Sequence, residues 1–401
     1  MILLFISRFV SFFGDGVYFI TINWLIVQMY NSTLALGSVA AISAIPNLMI
    51  IPFIGILVDR YARKYLVLST DLIRGILITI LAIMVGLNKF SIIMLYPINI
   101  MIGICSSFYA IGYNGLISDI VEKKNLTKFY SVMTMTYQSV YLLGSTLAGF
   151  IISQIKITGA LTIDIISFII SAICIFSIRM SRKIKINIVE VDIKKSNYLS
   201  NIREGIILLR NQKNVMKLIV LGMPITIFIS IINIIEPTFV SNVLNGTASD
   251  FGFIDAALGI GAVIGAIIVR FITKKNKELV FLYVGYFLVA ISLLSFGLSS
   301  KVIIAMMLNG IIGITFTITS IIYQSSIQKI TDNNIIGRIT SVQRFLQNIC
   351  SPVVIMIVGY LGSIMNYRNL IIGLSLFYML IFVSTCILLK NRNNEMEVKE
   401  L

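Results

Sequence analysis

The 401-residue sequence predicts an all-α membrane protein, with twelve transmembrane helices in two six-helix bundles related by a parallel repeat. Three observations lead there. Hydrophobic residues make up 58% of the chain and charged residues 12%, more apolar surface than a water-soluble domain can bury. The apolar residues fall into twelve segments long enough to cross a bilayer. The two halves also repeat at an offset of 210 residues without a gap.

The first six spans lie near residues 3–29, 34–58, 66–87, 91–115, 129–154 and 158–178. The first is a membrane helix and not a signal peptide, because it runs long, contains Arg8 and Asp15, and lacks a small-residue cleavage site. The second six lie near 215–240, 250–271, 279–298, 302–323, 336–361 and 368–389. The expected domains are therefore an N-terminal bundle over 1–178 and a C-terminal bundle over 215–390, with a linker over 179–214 and a tail over 391–401. The linker opens as a charged tether. It then places Leu199, Ile202, Ile206 and Leu209 at helical spacing beside Arg203 and Arg210, which suits an amphipathic helix on the inner membrane face.

The repeat rests on residues that isoleucine-rich composition does not produce. Gly75 matches Gly285, Asn99 matches Asn309, Gly103 matches Gly313, Tyr113 matches Tyr323, and Gly149 matches Gly359. Arg60 and Lys64 likewise match Arg270 and Lys274, but Val269 stands opposite Asp59. The halves have diverged, and the first carries the fuller set of charges. Six-helix halves of this kind are one of the parallel repeats found in transporters.

The net charge of +15 would suggest nucleic acid in a soluble protein. Here lysine and arginine cluster in alternate loops, so membrane orientation accounts for them. Roughly 25 lie in the loops and tail on one side, against Lys89, Lys156, Lys301 and Arg368 on the other. Both termini are therefore expected in the cytoplasm of a multi-pass cell-membrane protein. The lipid bilayer is a partner, nucleic acid is not, and a monomer is expected. The four cysteines sit in apolar segments without metal spacing, and histidine is absent. No metal site and no cofactor are expected, and any proton coupling must use carboxylates.

One loop is the most informative stretch. Gly55-Ile-Leu-Val-Asp59-Arg60-Tyr-Ala-Arg63-Lys64 lies between the second and third spans. It resembles the signature loop of the major facilitator superfamily, with Ala62 where a second glycine is usual. Asp71 and Arg74 in the following "STDLIRGIL" extend the resemblance toward the drug-efflux branch that includes macrolide exporters. The resemblance implies that Asp59 faces the start of helix eleven near Asn334 to Gly337, where the helix dipole favours a negative charge. It also implies that Arg63 meets Asp119, so that the loop latches one state of the transport cycle. Helix five carries "YLLGSTLAGF", with Gly144-Ser145 where antiporters of the superfamily often have glycine-proline. Its glycines suit close helix packing.

Ionisable residues within spans are costly and usually functional. Asp15 lies about twelve residues into helix one, roughly 18 Å along its axis, flanked by Gly14 and Gly16. Desolvation disfavours a charged carboxylate there, so Asp15 is suited either to loading and releasing a proton or to pairing with an arginine. Ser7, Ser11, Asp15 and Tyr18 share a helical face, with Arg8 near its inner end. Glu236, before Pro237, is a second proton-coupling candidate. Glu236, Asp164 and Asp255 are all placed toward the outer interface, where gating suits them better than proton carriage. Arg344 reads as the deepest membrane cation, able to neutralise Asp15, attract an anionic substrate or form a structural pair.

Family resemblance further implies that helices one, four, seven and ten line a central cavity. The polar candidates on them are Arg8, Ser11, Tyr18, Asn23, Asn99, Ser106, Asn114, Thr226, Ser230, Asn233, Asn309 and Thr317, joined by Arg344 from helix eleven. Asn99 with Asn309, and Asn23 with Asn233, would face each other as repeat-related pairs. Tyr18, Trp24, Phe108, Tyr109 and Phe316 would add aromatic surface.

The expected function is secondary active transport by alternating access, with a proton gradient as energy source and a lipophilic drug or macrolide-like compound as substrate, exported. The same fold moving a siderophore, lysolipid or anionic metabolite, in either direction, is the alternative, and a non-transporting membrane sensor is another. An enzyme is not expected, since no nucleophile with a base and no soluble domain occur. No phosphate-binding glycine-lysine loop occurs either, which argues against an ATP-driven pump.

Overall fold

The computed structural model describes residues 2–44, 50, 62–121, 126–178, 207, 213–272, 278–331 and 336–397. Among them there are helices and no strands, and ten helices are long and apolar enough to cross a membrane. This follows from composition: in hydrocarbon every backbone N–H and C=O must be satisfied within its own segment.

In the first unit α1 spans Ile2–Tyr30, α3 Arg63–Gly86 and α4 Ile92–Ile120. A shorter apolar helix, α2, covers Thr33–Ala44. The helical run Leu126–Ser177 breaks at Ile155 and Lys156, where Lys156 has φ 62° and ψ 177°. The two limbs, 126–154 and 157–177, are here α5 and α6. In the second unit α7 spans Lys213–Asn242, α8 Ala248–Ile272, α9 Glu278–Leu298, α10 Val302–Ile330, α11 Ile336–Ile364 and α12 Tyr367–Glu397. The chain divides into two compact units, Met1–Tyr198 with Thr247–Gly252, and Leu199–Gly246 with Phe253–Leu401.

Within the first unit α1 packs most extensively on the Leu126–Ser177 run, and α3 packs on both that run and α4. Glycines allow the close approach. A Cβ on Gly14 would run into Ser167 and Asp164 of α6, and one on Gly144 into the Phe13 carbonyl of α1. The apolar core at one end joins Leu4, Val67, Tyr109, Tyr113, Leu116, Ile117 and Ile175. Lys64 closes that end, its Nζ donating to the carbonyls of Phe176 (2.7 Å) and Ile178 (2.8 Å). It thereby satisfies the free carbonyls at the C-terminus of α6.

Within the second unit α9 packs on α10 and α12, and α7 on α10, α11 and α12. Its α8–α10 contact uses small residues: a Cβ on Gly261 or Gly313 would meet backbone of the facing helix. Apolar solvent supplies no hydrophobic drive between helices, so such close packing has to hold them together. Tyr286, Phe239, Phe296 and Phe228 fill the interior.

Candidate functional site

The first unit contains a buried ionic constellation beside a cavity of about 390 Å³, lined by Arg8, Phe12, Asp15, Arg74, Ser106, Tyr109, Tyr113, Asn114 and others. Arg74 stands at its centre and is 2% exposed. Its Nη2 bonds Asp71, one helical turn earlier on the same face, and its Nη1 lies 3.5 Å from Asp15 Oδ1. The second oxygen of Asp71 accepts 2.6 Å from Ser171 Oγ of α6. The guanidinium carbon lies over the rings of Tyr109 (4.5 Å) and Phe168 (4.4 Å). Asp71 is thus satisfied at both oxygens, as a carboxylate sealed from water must be. Asp15 holds the looser, longer contact, and its side chain is 38% exposed.

Arg8, one side of the same cavity, lies 4.1 Å from the Phe12 ring centroid, 4.7 Å from Tyr109 and 4.6 Å from Tyr113. Three rings therefore stabilise its charge through their π faces. Tyr113 in turn donates to the Leu4 carbonyl of α1, and Tyr18 donates to Asn99 at 3.1 Å. Asn99 also donates 3.1 Å to the Leu95 carbonyl, so it links α1 to α4.

Near the end of α3, Arg63 Nη1 reaches Asp119 at 2.8 Å and the Gly115 carbonyl at 3.4 Å. A Cβ on Gly115 would fall 2.6 Å from Arg63 Cδ, so glycine there lets the guanidinium lie on α4. Ala62 precedes the helix at φ −63°, a conformation open to any L-residue, and this explains why glycine is not required. Gly55, Asp59 and Arg60, the expected partner stretch near Asn334, and the amphipathic segment apart from Ile207 lie outside the described residues.

Asp71 and Arg74 lie within the helix expected near 66–87: α3 carries Val67, Thr70, Asp71, Arg74, Ile78 and Leu81 on its buried face. Arg344 is exposed on α11, and the arginine that contacts Asp15 within its own unit is Arg74. Asn309 is no cavity wall. It is 0% exposed and donates to Glu236 Oε1 (3.2 Å) and the Ile254 carbonyl (2.9 Å). Ser11 is likewise buried. Asp164 and Glu236 are enclosed, at 0% and 2% exposure.

The remaining candidates are partly exposed on their helices. Asn23, Asn233 and Thr317 are half-buried, Thr226 bonds its own helix at Met223, and Ser230 meets Ser351 of α11 at 3.2 Å. Sequence reading missed Ser171, Phe168 and Gly115. The polar run Asp164, Ser167, Ser171 at i, i+3, i+7 on one face of an otherwise apolar α6 was the available signal. Among the described residues no group of histidine, cysteine or carboxylate side chains could hold a metal.

Comparison with known proteins agrees with this architecture. Macrolide efflux protein A of Streptococcus pyogenes is 22% identical over 349 residues, which covers 86% of this chain and 84% of that protein. The fold is similar to that of the nucleoside transporter NupG, at a TM-score of 0.76 and 11% identity over 96% of this chain and 98% of that one. A bacterial homologue of the iron transporter ferroportin, in an inward-facing state, matches at 0.69 and 14% identity over 96% and 97%. The sequence model of the Major Facilitator Superfamily matches residues 4–355, so the chain belongs to that superfamily of membrane transporters and is not an enzyme.

Proposed function

We propose that the protein is a proton-driven exporter of lipophilic, macrolide-like or other drug-like compounds, working by alternating access. The observation that carries the reading is Asp15. Its carboxyl faces the cavity on one side and the Arg74 guanidinium, 3.5 Å away, on the other. Protonation from cavity water removes its charge and frees Arg74 to rest on Asp71 alone, so one proton changes how α1 is held against α3. The near full-length relative named for macrolide efflux supports the substrate class.

In this reading the ten long helices are completed to twelve crossings by the segment that α2 begins and by the separation of α5 from α6. Two six-helix bundles, 1–178 and 215–390, then rock about the linker, with both termini in the cytoplasm of a monomer in the cell membrane. The proton gradient is the sole energy source. The Arg63–Asp119 pair, with Asp59, Arg60 and Lys64, serves as the cytoplasmic latch. Glu236 is the second candidate for proton coupling. An anionic amphiphile or metabolite is the alternative substrate, favoured by the two arginines, Arg8 and Arg74, in the cavity wall.

Inside-out vesicles with an acidic interior test the reading. Uptake of a fluorescent lipophilic cation and of a labelled macrolide is followed with and without protonophore, for wild type and Asp15→Asn at equal protein level. Protonophore-sensitive uptake that Asp15→Asn abolishes is the expected result. Uptake surviving the substitution transfers coupling to another carboxylate. No uptake of either probe rejects the drug substrate in favour of the anionic one.

A further inference from the structure

We infer that Asp164 is a second proton-holding carboxyl of the first unit, and that Asp15 is its route to water. The inference deepens the proton-exchange reading and rests on it for its role in transport. Asp164 sits on α6 with no exposed surface. Its Oδ1 accepts a 3.3 Å bond from Ser167 Oγ, a hydroxyl with one proton that also has the nearer Asp164 carbonyl (2.7 Å) as an acceptor. Its Oδ2 is buried without any hydrogen-bond partner. Among the described residues no ion pair includes it. A carboxylate sealed in this way would bear an uncompensated desolvation penalty, and such a group takes a proton instead.

The surrounding charges point to a shared proton. On α1, Asp164 Oδ1 lies against Gly14, the residue before Asp15. Asp15 and Tyr18 on that helix both interact electrostatically with it. On α3, Arg74 is the nearby cation, but its Nη groups are directed to Asp71 and Asp15; its guanidinium carbon lies over the Tyr109 ring of α4. The two carboxyls therefore hold one proton and one negative charge at rest, the proton on Asp164 and the charge on Asp15. Only Asp15 touches the cavity. A proton passing from Asp164 to Asp15 leaves the charge of the pair unchanged. A second proton, taken up at Asp15 from cavity water, neutralises the pair and breaks the contact with Arg74.

Infrared spectroscopy of the full-length protein in lipid vesicles tests this without any transported compound. At neutral pH the wild type should show a protonated-carboxyl carbonyl band that vanishes in Asp164→Asn, shifts in Asp164→Glu and persists in Asp15→Asn. On transfer to D2O, deuteration of that band should be about tenfold or more slower in Asp15→Asn than in wild type, and Asp15→Glu should restore the rate. Absence of an Asp164-dependent band would overturn the inference, since Asp164 would then be ionised. Equal exchange rates in wild type and Asp15→Asn would overturn it too, by showing another route for the proton. Failure of the transport reading registers separately, as vesicles that show the band and its exchange but no protonophore-sensitive uptake.

Discussion

Arg74 shows how a single buried cation organises its surroundings. It is 2% exposed, yet two carboxylates meet its Nη groups and two aromatic ring centroids lie within 4.5 Å of its guanidinium carbon. Removing it by Arg74→Ala leaves Asp71 sealed and uncompensated, which should cost about 3–5 kcal/mol and appear as a lower temperature for loss of monodisperse detergent-solubilised protein. Arg74→Lys replaces a planar fork by a point charge that cannot address both carboxylates at once, so a smaller loss is expected. The double change Asp71→Leu with Arg74→Met removes both buried charges and should recover much of that stability. Recovery in the double variant separates ion-pair repair from simple loss of packing, and a double variant no more stable than Arg74→Ala would refute the pairing. The sequence did display Asp71 and Arg74, three apart on one helix face. The apolar spacing of Val67, Ile78 and Leu81 around them marks that face as the core-facing one of a helix.

At the scale of the element, glycine decides how near α1 comes to its neighbours. The packing glycines of α5 were readable from "YLLGSTLAGF", since small residues in apolar helices mark close contacts. Which glycine is critical was not readable, because that depends on the facing atom. A Cβ at Gly144 would meet the backbone carbonyl of Phe13, which cannot swing aside, whereas one at Gly373 of α12 would meet nothing within 4 Å. Gly144→Ala is therefore expected to destabilise the protein by about 1–3 kcal/mol, and Gly373→Ala to leave the same thermal measurement unchanged. Equal effects at the two positions would show that helix propensity and not the α1–α5 approach is being measured. Span positions were also legible. The segments expected near 302–323 and 336–361 are continuous helices over Val302–Ile330 and Ile336–Ile364. The polar end of α10, "QSSIQKI", remains helical beyond the apolar window, so hydropathy alone stops short of it.

At the scale of the whole molecule, the 210-residue repeat set out an architecture but not a charge distribution. The repeat-related tyrosines do equivalent work. Tyr113 of α4 donates to the Leu4 carbonyl of α1, and Tyr323 of α10 reaches the Ile219 carbonyl of α7 at 3.5 Å. The matched asparagines also bind the first helix of their own unit, but through different chemistry: Asn99 meets Tyr18, while Asn309 meets Glu236. Such divergence is invisible to residue matching, because the partners lie at unrelated positions of the repeat. Its consequence is an asymmetry in what each unit can do with a proton. In the first unit Asp15 touches a cavity and an arginine that responds to its charge. In the second, Glu236 is enclosed and bonded to a neutral amide. Glu236→Gln keeps a hydrogen-bonding group of the same size against Asn309, so it should retain protonophore-sensitive uptake in inside-out vesicles, whereas Asp15→Asn should lose it. The two variants together locate coupling: loss in Glu236→Gln with retention in Asp15→Asn would move the proton-driven step to the second unit. Loss in both would mean that each unit carries an obligatory proton site. The expected pattern instead assigns proton exchange to the unit whose carboxyl, arginine and cavity adjoin.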